Sequence, residues 1–156
     1  MSAKPVDRLT PQGKQFERML KELTSKEVHV GFQRGDATDE NGVDMCDIAM
    51  WNELGTVRSP ARPFMRQSVD NHIDEINRKF QSLQAAILTG KSADLILKEL
   101  GIFQKDLMQN EIITGDFVPN APSTIRRKGS SKPLIDTGRM RQAVNYVIKP
   151  KGEREG

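Results

Sequence analysis

Apolar residues alternate at spacings of three and four through the segment 63–90, and this periodicity limits the folds open to the chain. The period is that of an α-helix with one apolar face. No glycine or proline interrupts the segment between Pro63 and Gly90. The pattern predicts one long helix whose apolar face comprises Val69, Ile73, Ile76, Phe80, Leu83 and Ile87.

A second long helix is predicted directly after the first. Ser92 is a favourable N-cap residue, and Gly115 closes the pattern. Gly101 lies inside this segment, where it indicates close packing or a bend. The apolar stripe of this second helix comprises Ile96, Leu100, Phe103 and Leu107.

Capping residues predict two further helices. Thr10 followed by Pro11 is typical of an N-cap and a first helical position, and this helix should end at about Thr24. Asp44 should begin a short helix, with Gly55 placed to end it in a left-handed conformation.

Two stretches alternate apolar and polar residues in the manner of half-buried strands. One is EVHVGFQRG at 27–35, and the other is AVNYVIK at 143–149, which we expect to pair with it. The predicted fold is α+β, with a small, mostly antiparallel sheet packed against two long helices and with extended, mobile loops and termini. At 156 residues the chain fits one domain, taken as 10–149, between a flexible segment 1–9 and a flexible basic tail 150–156.

The sequence predicts no membrane partner and no cysteine-based site. No apolar run approaches the roughly 18 residues of a membrane span, and the first residues lack the apolar middle of a signal peptide. Cys46 is the only cysteine, so the chain forms no intrachain disulfide. We expect a soluble protein made and kept in a cytoplasm.

The segment LIDTG at 134–138 reads like the catalytic loop of an aspartic protease. That enzyme needs two carboxylates sharing one proton, whereas Arg139 and Arg141 beside Asp136 would favour its ionised form. The favoured interpretation is structural, with Asp136 or Thr137 capping the next helical turn.

No catalytic, cofactor or metal site is predicted elsewhere. The acidic loop fails the calcium-loop spacing because Ala37 would occupy its first ligand position. His72 and Glu75 are spaced to share a helix face usable by a metal, but a solvated polar face is the preferred interpretation. His29 should face solvent, opposite the apolar side of its strand.

Charge is distributed unevenly along the chain. Residues 1–121 hold 15 basic against 18 acidic residues, whereas 122–156 hold 9 against 3. The basic end leaves open an alternative function as a nucleic-acid-binding module using the segment 126–151. Its contacts to DNA or to a protein partner would come from Arg126, Arg127, Lys128, Lys132, Arg139 and Arg141.

Two segments together resemble one family. The first motif, in IAMWNELGTVRSPARPFMRQSV at 48–69, consists of Trp51, Asn52, Glu53, Leu54, Gly55, Thr56, Pro60, Ala61, Arg62, Pro63 and Phe64. The second motif, in APSTIRRKGSSKPLIDTGRMRQAVNYVI at 121–148, consists of Ala121, Pro122, Thr124, Lys128, Gly129, Pro133, Leu134, Asp136, Thr137 and Gly138. With their order and spacing, these motifs resemble the small virion morphogenesis proteins of tailed bacteriophages and prophages, the tail-completion or head-to-tail joining components.

The resemblance implies a non-enzymatic structural protein of the virion that assembles in the host cytoplasm. Its subunits would form a homo-oligomeric ring at the neck or the head-proximal tail end, and would contact other neck or tail proteins. A monomer before assembly and a contact with phage DNA are both compatible with it. The chain departs from the family in its final turn at 141–143, so the resemblance leaves the neck and the tail end as alternatives.

Physical reasoning adds a role for each motif. Pro60 and Pro63 restrict the backbone around Arg62, which we expect to bind Asp136, Glu53 or a carboxylate on a neighbouring subunit. In the second motif, Pro133 and Leu134 should anchor the loop on the core. The loop 34–43, the segment 116–133 and both termini are expected to order on meeting a neighbouring ring.

Overall fold

The computed structural model describes residues 9–153, and within them the chain is an α+β fold of seven helices and two strands. In chain order these are α1 (Pro11–Thr24), β1 (Lys26–Gly31), α2 (Met45–Leu54), α3 (Phe64–Asp70), α4 (Ile73–Leu88), α5 (Ala93–Thr114), α6 (Pro122–Lys128), α7 (Arg139–Ala143) and β2 (Asn145–Pro150). Of the two ends predicted to be flexible, residues 1–8 and 154–156 lie outside the described range.

The sheet consists of β1 and β2, which pair antiparallel with Val28 opposite Ile148. This confirms the predicted pairing of the two alternating stretches. The ladder continues to Pro150 opposite Lys26. The amide of Lys151 then donates to the carbonyl of Ser25 at 2.8 Å, so pairing extends into the segment that the sequence assigned to the tail.

Helix α5 is the scaffold of the fold, since both strands and helices α1, α3, α4 and α7 all pack against it. Its predicted boundaries are confirmed: Ser92 Oγ accepts from the amide of Leu95 at 3.3 Å, and Gly115 follows the last residue. Gly101 is buried, and a methyl group there would overlap the Tyr146 ring of β2. Gly101 therefore marks close packing rather than a bend.

The prediction of one continuous helix over 63–90 is wrong, because α3 and α4 are separated at Asn71 and His72. No glycine or proline causes this break. Instead, the side chains of Asn71 and His72 both reach the carboxylate of Glu111 in α5. The break is therefore fixed by a tertiary contact, which helical periodicity does not reveal.

The main core lies at the C-terminal half of α5, where α3 and α7 pack against it and α2 packs on α3 and α7. Its buried residues are Met45, Ala49, Phe64, Met108, Ile112, Phe117, Leu134, Met140 and Val144. The outer helices contribute little: α1 has no buried residue, and α4 buries only Ile76 and Leu83. Two amphipathic helices thus have incompletely covered apolar faces in the single chain.

Two segments expected to be mobile before assembly carry defined hydrogen bonds. In the loop 34–43, Asp39 Oδ1 accepts from the amides of Asn41 and Val43 at 2.9 and 2.8 Å. The segment 116–133 contains α6, which begins at Pro122 and is followed by Gly129 with a left-handed backbone. Both segments therefore have local structure in the single chain.

Candidate functional site

The first motif contains an unusual helix cap. Helix α3 follows Pro63, which offers no side-chain hydrogen bond to its first turn. Glu53, near the end of α2, supplies that acceptor across the intervening turn: its carboxylate accepts from the amides of Met65 and Arg66 at 2.9 and 3.1 Å. A negative charge at a helix N-terminus is favourable, so Glu53 fixes the angle between α2 and α3.

A tight hairpin at 55–60 joins these two helices. Gly55 has φ 76° and ψ 171°, a positive-φ but extended conformation in place of the expected left-handed helical one. A Cβ there would lie 2.7 Å from the backbone nitrogen of Ala61. Across the tip, the Thr56 amide donates to the Ser59 carbonyl at 2.8 Å, and Thr56 Oγ1 accepts from the Ser59 amide at 3.1 Å. The hairpin is therefore rigidly held.

The expectation that Arg62 binds Glu53 or Asp136 is wrong. The guanidinium is buried, with the residue only 7% exposed, and it binds backbone carbonyls. Its Nε donates to Val118 at 2.8 Å and its Nη2 to Pro119 at 3.3 Å. Burial lowers the pKa of Arg62. The irregular chain at these positions offers carbonyls that no helix or strand pairs, and a buried guanidinium satisfies several at once.

The remaining residues of the first motif divide between core and surface. Phe64 is fully buried, with its ring edge-on to Phe32 and 6.0 Å between centroids. The backbone amide of Arg62 donates to the carbonyl of Asn52 at 2.6 Å, closing the base of the hairpin. Pro63 is half-buried, whereas Trp51, Pro60 and Ala61 are exposed.

In the second motif, Leu134 lies in the core beside the half-buried Pro133. The predicted capping role of Asp136 or Thr137 is wrong, because the N-cap of α7 is Gly138, with φ 80° and no side-chain cap. Asp136 accepts no hydrogen bond among the described residues. Thr137 Oγ1 accepts only a long 3.4 Å contact from the Arg139 amide. The left-handed glycine occupies the N-cap position itself, so Asp136 and Thr137 lie outside that position, and Thr137 reaches only the first amide of α7.

The two motifs meet at a cleft of about 570 Å³. Asn52 Nδ2 lies 3.8 Å from Met140 Sδ, which joins α2 to α7. The cleft is lined by apolar residues of α2 and of the second motif, with acidic residues on the loop 39–41 and basic residues on α6 and α7. No histidine or cysteine is among its lining residues. This combination of apolar and oppositely charged groups suits a protein segment as occupant.

The six basic residues predicted to contact DNA or a partner are not equivalent. Arg126, Arg127 and Arg139 are exposed. Lys128 is turned inward, and its Nζ donates to the carbonyl of Pro133 at 3.3 Å, while burial lowers its pKa.

Lys132 and Arg141 are also partly committed within the fold. Lys132 Nζ donates to the carbonyl of Ile113 at 3.1 Å. Arg141 Nε is buried without a hydrogen-bond partner in the described part of the chain. Of the six, Lys132 is exposed as well, but only Arg126, Arg127 and Arg139 are exposed without a side-chain hydrogen bond or ion pair in the described part of the chain. These three arginines lie around the cleft or on α6 next to it.

A cluster around Glu111 was not predicted. Glu111 is 3% exposed, and its carboxylate accepts from Asn71 Nδ2 and contacts His72 Nε2, each at 3.1 Å. His72 Nδ1 contacts Glu75 at 2.9 Å. The interpretation of His72 as part of a solvated face is thus incomplete. The sequence does contain one sign of this cluster: Glu111 is an acidic residue on the buried stripe of α5, between Met108 and Ile112.

Two groups of exposed apolar side chains lie in the segment of the first motif and in the two helices that follow it. The hairpin patch consists of Trp51, Leu54 and Val57, which are 50, 71 and 106% exposed. The helix patch consists of Val69, Ile73 and Phe80, which are 41, 50 and 46% exposed. The three residues of the helix patch belong to the predicted apolar face of the long helix. Part of that apolar face is therefore exposed on the surface of the single chain rather than packed in its core.

Comparison with known proteins leaves the family resemblance as a sequence-based inference. No family model matches the chain, and neither a curated protein nor a solved structure is significantly similar to it. Between residues 9 and 153, no cluster of His, Cys, Asp or Glu is arranged to hold a metal ion. None of the helices in this range has the length and apolarity to span a bilayer.

Proposed function

We propose that this chain is a structural virion protein of a tailed phage or prophage. It acts in head-to-tail joining or tail completion by forming a homo-oligomeric ring at the neck or the head-proximal tail end. It assembles in the host cytoplasm and remains in the virion, in contact with other neck or tail proteins. The basis is the ordered pair of motifs, together with a fold that leaves large apolar surfaces uncovered.

The observation that carries the proposal is the amount of exposed surface. The chain exposes 10743 Å², whereas a compact monomer of this size exposes about 7,900 Å². The excess is larger than the roughly 1,800 Å² that the eleven residues outside the described range could expose in any conformation. Each subunit of a ring buries area at two interfaces, commonly about 800 Å² at each.

The motif residues support an assembly role through what they do within the subunit. Glu53 caps α3, Gly55 permits the hairpin, and Arg62 ties it to the chain at Val118. These contacts hold the hairpin patch outward on a rigid support. A preformed apolar projection lowers the entropy lost on association, which is the property a ring subunit needs.

The functional test is genetic and visual. The gene is inactivated in the phage or prophage that carries it, and the lysate is examined by electron microscopy. We expect separate heads and tails, or tails with an unfinished head-proximal end, with complete virions restored by supplying the wild-type chain. Infectious, fully assembled virions that lack the protein would contradict the proposal.

A second candidate function is nucleic-acid binding, favoured by exposed Arg126, Arg127 and Arg139 near one cleft. Neutralising phosphates with these residues would make affinity fall steeply with salt. The test is binding of double-stranded DNA at several salt concentrations, with the three arginines replaced by glutamine as the comparison. If the three arginines bind DNA, their replacement makes the negative slope of log affinity against log salt shallower by about 3.

A further inference from the structure

We propose that the hairpin patch of one subunit docks on the helix patch of a second copy of this chain, with Arg58 of the first opposite Asp74 of the second. This inference rests on the proposed ring and specifies its contact. It names a heterologous interface, because the two patches are different surfaces of the same molecule.

The hairpin patch has the features of a projecting surface. Val57 is 106% exposed at the tip, and Leu54 is 71% exposed at the end of α2. Arg58 sits beside Val57 and has no ion-pair partner among the described residues. An apolar projection next to an uncompensated cation favours an apolar surface with an acidic border.

The helix patch has that complementary character. Ile73 and Phe80 are two turns apart on one face of α4. Buried Ile76 lies on one side of Ile73, and Asp74 lies on the other, toward solvent. Asp74 is exposed and has no cation partner in the described part of the chain. Asp70 adds a second acidic group, already in a weak 3.5 Å contact with Arg66.

Charge complementarity selects a second copy as the occupant. Arg58 beside Val57 and Asp74 beside Ile73 carry opposite charges, and neither has an ion-pair partner among the described residues. Arg78, one turn after Asp74 on α4, is also exposed and in no ion pair of the described chain, but it lies farther around the helix from Ile73 than Asp74 does. Each subunit would offer one hairpin patch and one helix patch, so every contact leaves one of each kind unused. Such a contact propagates until a ring closes.

Charge reversal tests this contact. Arg58→Glu and Asp74→Arg should each raise the concentration for half-assembly by more than about tenfold, because like charges then face each other. An equimolar mixture of the two variants should assemble, since each hairpin then meets an oppositely charged helix patch on the other variant. Lys14→Glu and Asp106→Arg, at exposed sites on α1 and α5, are the matched controls.

Cysteine pairing tests the same contact independently of charge. In a Cys46→Ser background, Val57→Cys with Ile73→Cys should give a ladder of disulfide-linked oligomers after mild oxidation, whereas each cysteine alone should give at most a dimer. The proposal therefore predicts that the mixed charge-reversal variants assemble and that the double-cysteine variant forms the ladder of linked oligomers.

Three outcomes contradict the proposal in distinguishable ways. Single reversals that assemble like the wild type overturn this contact and leave the ring in place. Variants that fail singly and also in the mixture overturn the Arg58–Asp74 pairing. A wild type that never assembles removes the ring itself and this contact with it.

Discussion

Arg62 Nε donates to the carbonyl oxygen of Val118 at 2.8 Å, and this contact ties the first motif to the loop that leads into the second. The two positions are separated by 56 residues in sequence. The guanidinium is buried, so it replaces water as the partner of two backbone carbonyls. Arg62 therefore supports the hairpin within its own subunit, through hydrogen bonds to the backbone of the same chain.

Replacing Arg62 should destabilise the fold. Arg62→Ala removes two hydrogen bonds from a charged donor together with a buried side chain, which we expect to cost about 1–3 kcal/mol in the free energy of unfolding. Arg62→Lys should recover only part of this, because a single ammonium does not reproduce the planar guanidinium. Urea unfolding followed by circular dichroism measures both. Arg18→Ala, at an exposed position on α1, is the control and should change the free energy of unfolding by less than about 0.5 kcal/mol; equal losses at the two sites would contradict the buried role.

Glu53→Gln should weaken the start of α3. The amide side chain has one acceptor oxygen where the carboxylate has two, and it removes the charge that favours the helix N-terminus. We expect a loss of about 0.5–2 kcal/mol in unfolding free energy. Glu40→Gln, on the exposed loop, should leave stability unchanged in the same urea titration. A Glu53 variant as stable as the Glu40 variant would show that the cap contributes nothing.

Local chemistry predicts those parts of the fold that depend on neighbours in sequence. Thr10, Asp44 and Ser92 cap their helices as predicted, since a cap needs only the next few amides. The pairing of β1 with β2 also follows from their alternation. The break between α3 and α4 was missed because it depends on Glu111, some forty residues away in sequence.

The candidate site was predicted less well for the same physical reason. Carboxylates that could bind Arg62 can be read from the sequence, whereas the carbonyls of Val118 and Pro119, which no helix or strand pairs, cannot. Asp136 was expected to cap a helix, but the left-handed Gly138 places the helix start beyond it. Exposure of Ile73 and Phe80 depends on how few neighbours cover α4, which periodicity does not contain.

Gly101→Ala should destabilise the protein even though it lies inside a helix. Alanine is intrinsically better than glycine there by about 1 kcal/mol. Its methyl group, however, would overlap the Tyr146 ring, and overpacking commonly costs about 1–3 kcal/mol. We expect a net loss in thermal unfolding. Tyr146→Ala in the same chain should cancel part of the loss, as expected for residues in contact; additive effects would contradict the overlap.

Stability should depend on pH through His72. The hydrogen bond to Glu75 is the largest influence on the pKa of His72 and raises it. Burial lowers this pKa, and the hydrogen bond to Glu111 raises it by less than burial lowers it. The net effect is a pKa above the ordinary 6.5. Because this pKa is raised on folding, the contribution of protonated His72 to the free energy of unfolding is fully present below the pKa of His72 in the unfolded chain. It is lost as pH rises through the pKa of His72 in the folded protein.

Urea unfolding of the wild type and His72→Gln from pH 5 to pH 9 measures this dependence. The stability difference should be largest at the acidic end and should shrink as pH rises above about 6.5. Glu75→Gln removes the largest cause and should flatten the profile. A wild-type advantage that grows with pH would contradict the assigned direction.

Self-assembly is the central claim, and the molar mass of the purified wild-type chain tests it most directly. Light scattering is recorded over a wide concentration range, with electron microscopy of the largest species. We predict that mass rises with concentration to a single whole-number multiple of the monomer, seen as closed rings of uniform size. A monomer at every concentration, or open filaments without closure, would contradict the claim.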